Sequence, residues 1–156
     1  MTSALRLARS PLSIDPMAFL FDTDAVSEAL KRRPQPAYLE WLAQVPRDEQ
    51  YASAVTIGEM YRGAFRTNER RHLVNIVERV LATITVLPYD TAVARVYGDL
   101  HAQLAASHSL LADADLQIAA TAVHHGLRLV TGNLKHFARV PGLLVERILA
   151  ARKTRP

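Results

Sequence analysis

Residues 113–133, DADLQIAATAVHHGLRLVTGN, contain the pattern that decides the fold class. The part before Gly126 predicts a helix with one apolar face of small residues, and a glycine is the usual residue just past a helix end. His124 and His125 fall in its last turn, where the helix dipole favours positive charge. Residues 127–131 then predict a short apolar strand. A helix that leads directly into a short strand is the repeating unit of parallel sheets.

Further short apolar runs predict the rest of the sheet. Because their residues do not alternate with polar ones, we expect both faces of the strands to be covered. Amphipathic helices supply that cover, the clearest having apolar residues three or four positions apart from Leu73 to Ile84. The sequence therefore predicts an α/β domain with a central, mainly parallel sheet of four or five strands flanked by helices. The additional strands are expected at 17–21, 51–55, 84–87 and 143–145.

The chain has 156 residues, of which 49% are apolar, which is enough for one domain with a sizeable core. We expect this domain at 17–146, before a basic tail at 147–156. Residues 1–16 are expected to be a loose leader, or sequence upstream of a start at Met17. The absence of cysteine excludes disulfides and thiolate zinc sites. No run approaches the roughly 20 apolar residues that span a bilayer, so we expect a cytoplasmic protein.

Charge and histidine content narrow the function only slightly. The net charge of +4 and the pI near 9.8 are compatible with nucleic acid, an anionic surface or an acidic partner. The six histidines form no recognisable set of metal ligands. No G-x-S-x-G motif supports a hydrolase with a Ser/His/Asp triad.

Two aspartates, Asp22 and Asp24, follow the first predicted strand in the run FLFDTDAVSE. Ligands of parallel sheets bind beyond the carboxyl ends of the strands, which is where Asp22 lies. The pair is typical of a metal site, or of the nucleophile and acid/base of a haloacid-dehalogenase-like phosphotransferase. The structural alternative is that one of them caps the next helix. That alternative is stronger for Asp24, which directly precedes the helical pattern, than for Asp22.

Glu59 lies in the run SAVTIGEMYRGAF, where two interpretations compete. Thr56 and Glu59 have the spacing of a capping box, in which both side chains satisfy backbone donors at a helix start. A functional interpretation arises because Glu59 shares a helix face with Arg62, Gly63 and Arg66. A face with one acid, two arginines and a glycine has room and charge for a phosphate backbone.

A third acidic cluster opens the helix that precedes the last predicted strands. Asp115 lies on the side of Ile118, Ala119 and Ala122, and a carboxylate at the edge of an apolar face needs a hydrogen-bond partner, a proton or a cation. Asp113 is better assigned to helix capping. Asn133 follows strand 127–131, where it is a natural turn residue, although its side-chain oxygen is also suited to hold a water on a bound metal.

The order of these runs resembles the PIN-domain ribonuclease toxins of the VapC type. The resemblance covers residues 17 to about 145. Its strongest part is D-x-x-I-A-A-T-A from Asp115, followed by H-G-x-x-L-V-T-x-N. It implies a parallel sheet flanked by helices and an endoribonuclease activity that depends on Mg²⁺ or Mn²⁺.

The resemblance also implies a set of site residues. Asp22, Glu59 and Asp115 match the metal-binding acids of the family. Asn133 matches a fourth position that is Asp in some members. The hypothesis is that the three acids converge on the metal and that a water activated by it attacks an RNA phosphodiester. Asn133 would then orient water or substrate.

Other residues are expected around this centre. Arg62 and Arg66 are candidates for contacting backbone phosphates or a partner protein. Thr23, Asp24 and Asp113 are expected to surround the metal-binding acids without binding the metal. Family toxins are typically neutralised by a small antitoxin whose C-terminal segment covers the acidic site, and they commonly dimerise. We therefore expect RNA, an antitoxin, and a homodimer or a toxin–antitoxin hetero-oligomer.

Two other functions are compatible with parts of the sequence. The phosphotransferase would use Asp22 and Asp24, but it also needs a lysine and a second acidic pair near a strand end, and only Lys135 is suitably placed along the chain. A non-catalytic nucleic-acid-binding regulator would use the basic surface without cleaving. Three acids at one sheet edge argue against that regulator, because without a metal they repel phosphate.

Overall fold

A computed structural model describes residues 18–149 of the protein, which form one parallel sheet with helices on both sides. All five predicted strands are present, and their ends differ from the predicted ones by two residues at most. In chain order the elements are β1 Phe19–Phe21, α1 Thr23–Leu30, α2 Pro36–Gln44, β2 Gln50–Ser53, α3 Ala54–Phe65, α4 Arg70–Leu81, β3 Thr85–Leu87, α5 Thr91–Ala106, α6 Asp113–His125, β4 Arg128–Val130, α7 Leu134–Phe137 and β5 Leu144–Glu146. A short 3₁₀ turn, Arg47–Glu49, precedes β2.

The strand order is β3-β2-β1-β4-β5, and every neighbouring pair is parallel. Phe21 pairs with Ala52 of β2 and with Val130 of β4. The carboxyl ends of the three central strands are therefore level with one another. The predicted α/β architecture is confirmed, with β1 at the centre of the sheet.

The two faces of β1 pack into different parts of the core, as the apolar run predicted. Leu20 is fully buried in a cluster with α5 and α6, together with Leu129 of β4. Phe21 points the other way, into a cluster formed with α1 and α2 that includes Val130. Successive residues of a strand point to opposite faces, so a strand covered on both sides needs apolar residues at every position.

Neither α2 nor α7 was predicted from the sequence. The available signal for α2 was Pro36 in the first helical turn, followed by Tyr38 and Trp41 at helical spacing. Tyr38 is fully buried and donates a hydrogen bond to the carbonyl oxygen of Ala25 (2.9 Å). This hydrogen bond connects α2 to α1, the helix that follows Asp22.

The structure corrects the predicted cap of α1. Asp22, not Asp24, is the N-cap, and its Oδ1 accepts a hydrogen bond from the backbone N–H of Ala25 (2.8 Å). α1 therefore begins at Thr23, two residues earlier than a cap at Asp24 would place it. Asp24 lies in the first helical turn, where a negative charge still benefits from the helix dipole.

Two other capping predictions are also wrong. Ser53 caps α3 by accepting from the N–H of Val55 (3.0 Å), so Thr56 and Glu59 do not form a capping box. Thr56 lies inside the helix and is fully buried. α6 begins at Asp113 itself, after Ala112, which makes no side-chain cap. By contrast, the predicted end of α6 is confirmed, since Gly126 has the left-handed conformation (φ 63°).

The packed domain extends slightly past its predicted boundary at residue 146. Leu149 is buried in the same cluster as Phe21 and Tyr38, so the first residues of the predicted tail are part of the core. The leader at 1–16, Met17 and the rest of the basic tail lie outside the described residues. Within residues 18–149, no helix is both long and apolar enough to cross a membrane.

Candidate active site

The candidate site lies where the direction of the strand order reverses. From β1 the chain builds β2 and β3 on one side, then returns to place β4 and β5 on the other. Ligands of open parallel sheets bind at this switch point, beyond the carboxyl ends of the strands. Asp22 follows β1 there, and its backbone N–H donates to the carbonyl oxygen of Val130 at the end of β4 (3.1 Å).

Asp22 is a buried carboxyl group held by hydrogen bonds. The side chain accepts from the N–H of Ala25 and from the hydroxyl of Thr131, which follows β4, and only 5% of the residue is exposed. Burial raises the pKa of Asp22 to about 7, the hydrogen bonds from Thr131 and Ala25 oppose this rise, and the charges of Asp24 and Asp115 add to it. A cation at this position would favour the ionised carboxylate.

Asp115 comes to the same edge from the first turn of α6. Its charge contributes to the raised pKa of Asp22, so the two acids predicted to act together do interact. The partner that Asp115 was expected to need is His136, whose Nε2 lies 3.0 Å from its Oδ2. About a third (35%) of the Asp115 side chain remains exposed.

Glu59 reaches the site from the second turn of α3 and is held by two partners. Its Oε1 accepts a hydrogen bond from the hydroxyl of Thr23 (2.7 Å), the residue next to Asp22. Its Oε2 lies 3.7 Å from the guanidinium of Arg62. Thr23 was expected only to surround the acids, and its specific role is to bind Glu59 to the start of α1.

The donor atoms of the site fit a hard divalent cation, because the side chains at the switch point offer carboxylate oxygens. In addition, burial and the negative charges of Asp24 and Asp115 oppose ionisation of Asp22, and a cation would offset them. The predicted convergence of all three acids is not formed. Within the described part of the chain, no three acidic or histidine side chains lie close enough to hold a metal as they stand. Glu59 is instead engaged by Thr23 and Arg62.

Comparison with known proteins assigns the chain to a family. The sequence model of the PIN domain matches residues 19–143, which include every acid described above. The chain belongs to the PIN-domain family. The resemblance stated from the sequence motifs is thereby confirmed, and the family membership argues against the haloacid-dehalogenase-like alternative.

Relatives of this PIN domain match over nearly their whole length. Ribonuclease VapC2 of Haemophilus influenzae is 32% identical over 132 residues, covering 83% of this chain and 97% of that protein. The crystal structure of DNA-bound VapBC from Salmonella typhimurium has a TM-score of 0.79 and 29% identity, covering 84% of this chain and 98% of that one. VapBC-5 from Mycobacterium tuberculosis, a member of the VapBC family of toxin–antitoxin systems, has a TM-score of 0.64 and 25% identity, covering 85% and 99%.

Asn133 of this PIN domain lies beside the site, at the N-cap of α7. Its backbone N–H donates to the hydroxyl of Thr131 (3.0 Å), the same hydroxyl that binds Asp22. Its side chain is exposed and makes no capping bond. Asn133 and Asp22 are thus connected through a shared hydrogen-bond partner, the hydroxyl of Thr131.

The outer predicted residues divide into those near the acids and those farther away. Arg62 pairs with Glu59, while Arg66 is the exposed C-cap residue of α3. Asp24 acts electrostatically on Asp22. Asp113 accepts a hydrogen bond from the hydroxyl of Tyr97 (2.9 Å), so it links α6 to α5 and does not cap a helix.

His136 was not among the site residues predicted from the sequence. It lies in α7, 21 residues after Asp115, and nothing in the spacing of the histidines pairs the two. The available signal was indirect: Asp115 lacked a partner, and His136 is three residues after Asn133. Only the packing of α6, β4 and α7 in the folded domain brings the imidazole to the carboxylate.

Proposed function

We propose that this protein is an endoribonuclease toxin of the VapC type. The observation that carries the proposal is its alignment with a VapC ribonuclease over 97% of that protein's length. The interaction of Asp22 with Asp115 at the switch point of the sheet supports it, because acids at this edge suit hydrolysis of a phosphodiester.

The proposed cofactor is Mg²⁺ or Mn²⁺, held by Asp22 and Asp115 with Glu59 nearby. Such a cation lowers the pKa of water and offsets the negative charge that develops on a reacting phosphoryl group. The protein's own contribution is to fix the acids. Thr131 and the start of α1 orient Asp22, and Thr23 orients Glu59. Asn133 is the proposed donor or acceptor for water or substrate.

The proposed substrate is RNA, and α3 carries its phosphate contacts. Arg62 and Arg66 are both exposed on this helix, one and two turns beyond Glu59. Their guanidinium groups bind phosphate oxygens through paired N–H donors. The positive net charge of the chain, +4, adds a longer-range attraction for a polyanion.

The proposed partner is a cognate antitoxin that docks in an apolar groove beside the acids. The groove has a volume of about 410 Å³ and lies between α1, α3 and α4. Its polar lining residues are Thr23 and Glu59, through which an occupying segment would reach the site, together with Ser27 and Lys31. Its apolar wall consists of Leu30, Met60, Ala64, Leu73, Ile76 and Val77. An apolar segment with a basic residue at the Glu59 end has the complementary chemistry.

The test is cleavage of a labelled RNA by the purified full-length protein. Wild type is expected to cleave the RNA in the presence of Mg²⁺ or Mn²⁺ and to lose this activity in EDTA. Asp22→Asn and Asp115→Asn should each reduce the rate at least about 100-fold. Asp48→Asn, an exposed aspartate in the 3₁₀ turn, is the matched control and should cleave like wild type.

Two outcomes would contradict the proposal. Full activity of both site variants would show that Asp22 and Asp115 are not needed for cleavage. Cleavage in EDTA would show that the reaction does not depend on a divalent cation. RNA binding that persists in EDTA, without cleavage when Mg²⁺ is restored, would instead support the non-catalytic regulator.

A further inference from the structure

His136 lies between an acid of the candidate site and an arginine. Its Nε2 is 3.0 Å from Oδ2 of Asp115, and its Nδ1 is 3.1 Å from Nη2 of Arg139. The Nε–H of Arg139 also donates to the backbone carbonyl of His136 (3.2 Å), so the guanidinium is folded onto the residue it contacts. The ring of Phe137 packs edge-on against the imidazole at 5.4 Å. The imidazole is therefore restrained on several sides.

These contacts determine which ring nitrogen carries the proton. A guanidinium has only donors and stays protonated, so Nδ1 of His136 must accept from Arg139. A carboxylate has only acceptors, so Nε2 must donate to Asp115. Only the neutral imidazole with its proton on Nε2 satisfies the two contacts together. The other tautomer would set N–H against N–H at Arg139 and a lone pair against the carboxylate.

We propose that Arg139 holds His136 in the Nε2–H tautomer, so that His136 orients Asp115 and cannot itself bind the metal. The inference rests on the proposed function, in which Asp115 is a metal ligand. His136 is a positioning residue in this scheme, since it acts through Asp115. For the imidazole to become a ligand, its proton must move to Nδ1, where the guanidinium of Arg139 blocks it.

The consequence is selectivity for the kind of metal. A site that offers carboxylate oxygens alone suits Mg²⁺ and Mn²⁺, whereas an available imidazole favours Ni²⁺ and Zn²⁺. His136 is the imidazole that contacts Asp115 at this edge, with Nε2 3.0 Å from Oδ2. Arg139 therefore keeps this edge of the protein an oxygen site by controlling the position of one proton.

The first test reads the tautomer directly and needs no metal. In ¹⁵N NMR spectra of the untagged full-length protein in EDTA, a protonated ring nitrogen and one with a lone pair resonate far apart. His136→Gln identifies the His136 signals by their loss. We expect protonated Nε2 and unprotonated Nδ1 in the wild type. The reverse pattern would overturn the inference whatever the metal data show.

The second test measures Mn²⁺ and Ni²⁺ affinity by calorimetry. Arg139→Met removes the donor to Nδ1, so Ni²⁺ should bind at least about tenfold more tightly while Mn²⁺ affinity changes less than about threefold. The double variant Arg139→Met/His136→Gln should lose the gain, because the imidazole is gone. Arg79→Met, an exposed arginine of α4, is the matched control. Any Ni²⁺ binding by the exposed His124 and His125 is common to all variants, so it cancels when the affinities of the variants are compared.

The positioning role of His136 is tested in the same measurements. His136→Leu should weaken Mn²⁺ binding about tenfold, as expected for loss of a hydrogen bond that orients a ligand. His136→Gln keeps an N–H donor at a similar reach and should restore affinity to within about threefold of wild type. Equal Mn²⁺ affinity in wild type, His136→Leu and His136→Gln would overturn this positioning role. An unchanged Ni²⁺ affinity in Arg139→Met would overturn the proposed metal selectivity.

Failure of the inference and failure of the proposed function give different results. A wild-type protein that binds no divalent cation overturns the proposed cofactor and, with it, the metal part of the inference. A wild type that binds Mn²⁺ and cleaves RNA, but carries the proton on Nδ1, overturns the inference alone.

Discussion

Asp22 has two roles that place opposite demands on the same carboxyl group. As N-cap it supplies an acceptor for the N–H of Ala25, which stabilises the start of α1. As a candidate metal ligand it must ionise, although burial and the charges of Asp24 and Asp115 oppose ionisation. At neutral pH the metal-free protein therefore holds this carboxyl close to the midpoint of its titration.

The raised pKa of Asp22 predicts an unusual dependence of stability on pH. Because the pKa is about 7 in the folded protein and 3.8 ordinarily, the folded state binds a proton that the unfolded chain releases between these values. In EDTA, the free energy of unfolding should fall as pH rises from about 4 to about 7, by on the order of 4 kcal/mol at most. Asp22→Asn stays neutral and keeps a capping oxygen, so this fall should be absent.

Urea unfolding of wild type and Asp22→Asn at several pH values provides the measurement. At pH 8 in EDTA the variant should be the more stable protein, and at pH 4 the two should be similar. Asp48→Asn makes the same chemical change at an exposed position and should follow wild type. Parallel curves for wild type and Asp22→Asn would show that Asp22 titrates normally.

Thr56 provides a second prediction at a single residue. Within residues 18–149, its buried hydroxyl has no hydrogen-bond partner, and a buried polar group without a partner costs free energy. Thr56→Val removes the hydroxyl with little change of shape, so thermal unfolding should show a gain of about 1 kcal/mol. Thr121→Val is the contrast, because its hydroxyl donates to the carbonyl of Gln117 (2.9 Å) and should not be lost without cost. A destabilised Thr56→Val would contradict the assignment.

At the scale of elements, the starts of the helices decide where the acids lie. The strands were predictable because each is a short apolar run, and the end of α6 because Gly126 follows it. The caps were not, since two or more capable side chains lie within a few residues at the starts of α1 and α3. Which of them caps depends on where the preceding strand leaves the sheet, and the pairing of Phe21 and Ser53 with other strands sets that point.

The placement of Asp22 and Asp115 at one edge of the sheet was predictable, whereas the contacts that surround them were less so. Asp22 and Asp115 follow from motif positions, and their interaction follows from a parallel sheet. The pairing of Asp115 with His136 joins α6 to α7 across β4, a distance in sequence that local patterns do not report. The hydrogen bond from Thr23 to Glu59 is likewise a contact between helices that are distant in sequence, α1 and α3.

That contact between α1 and α3 leads to a third prediction. Thr23→Val removes the hydroxyl that holds Glu59 and keeps the shape of the side chain. We expect RNA cleavage to fall about tenfold, in line with loss of an orienting hydrogen bond, with little change in thermal stability. Thr23→Ser retains the hydroxyl and should restore most of the activity. Equal kcat/KM for the Val variant and wild type would show that this bond does not position Glu59.

At the scale of the whole molecule, one edge combines the acids, the exposed arginines of α3 and the apolar groove. The arginines suit a nucleic acid and the groove suits an apolar segment, and Glu59 both pairs with Arg62 and lines the groove. Composition could indicate a basic protein but not this arrangement, because the groove forms only when α1, α3 and α4 pack together. An occupant of the groove would therefore control access to the acids without changing the sheet.

The groove gives the last prediction, which separates antitoxin binding from catalysis. Leu73 is half-buried in the groove wall, so Leu73→Glu places a charge where an apolar segment would dock. When co-expressed with its cognate antitoxin, the variant should fail to co-purify with it and should escape its inhibition. Retained Mg²⁺-dependent cleavage would show that the variant is folded. Leu110→Glu, at an exposed leucine outside the groove, should still bind. Tight, inhibitory binding of Leu73→Glu would place the antitoxin elsewhere.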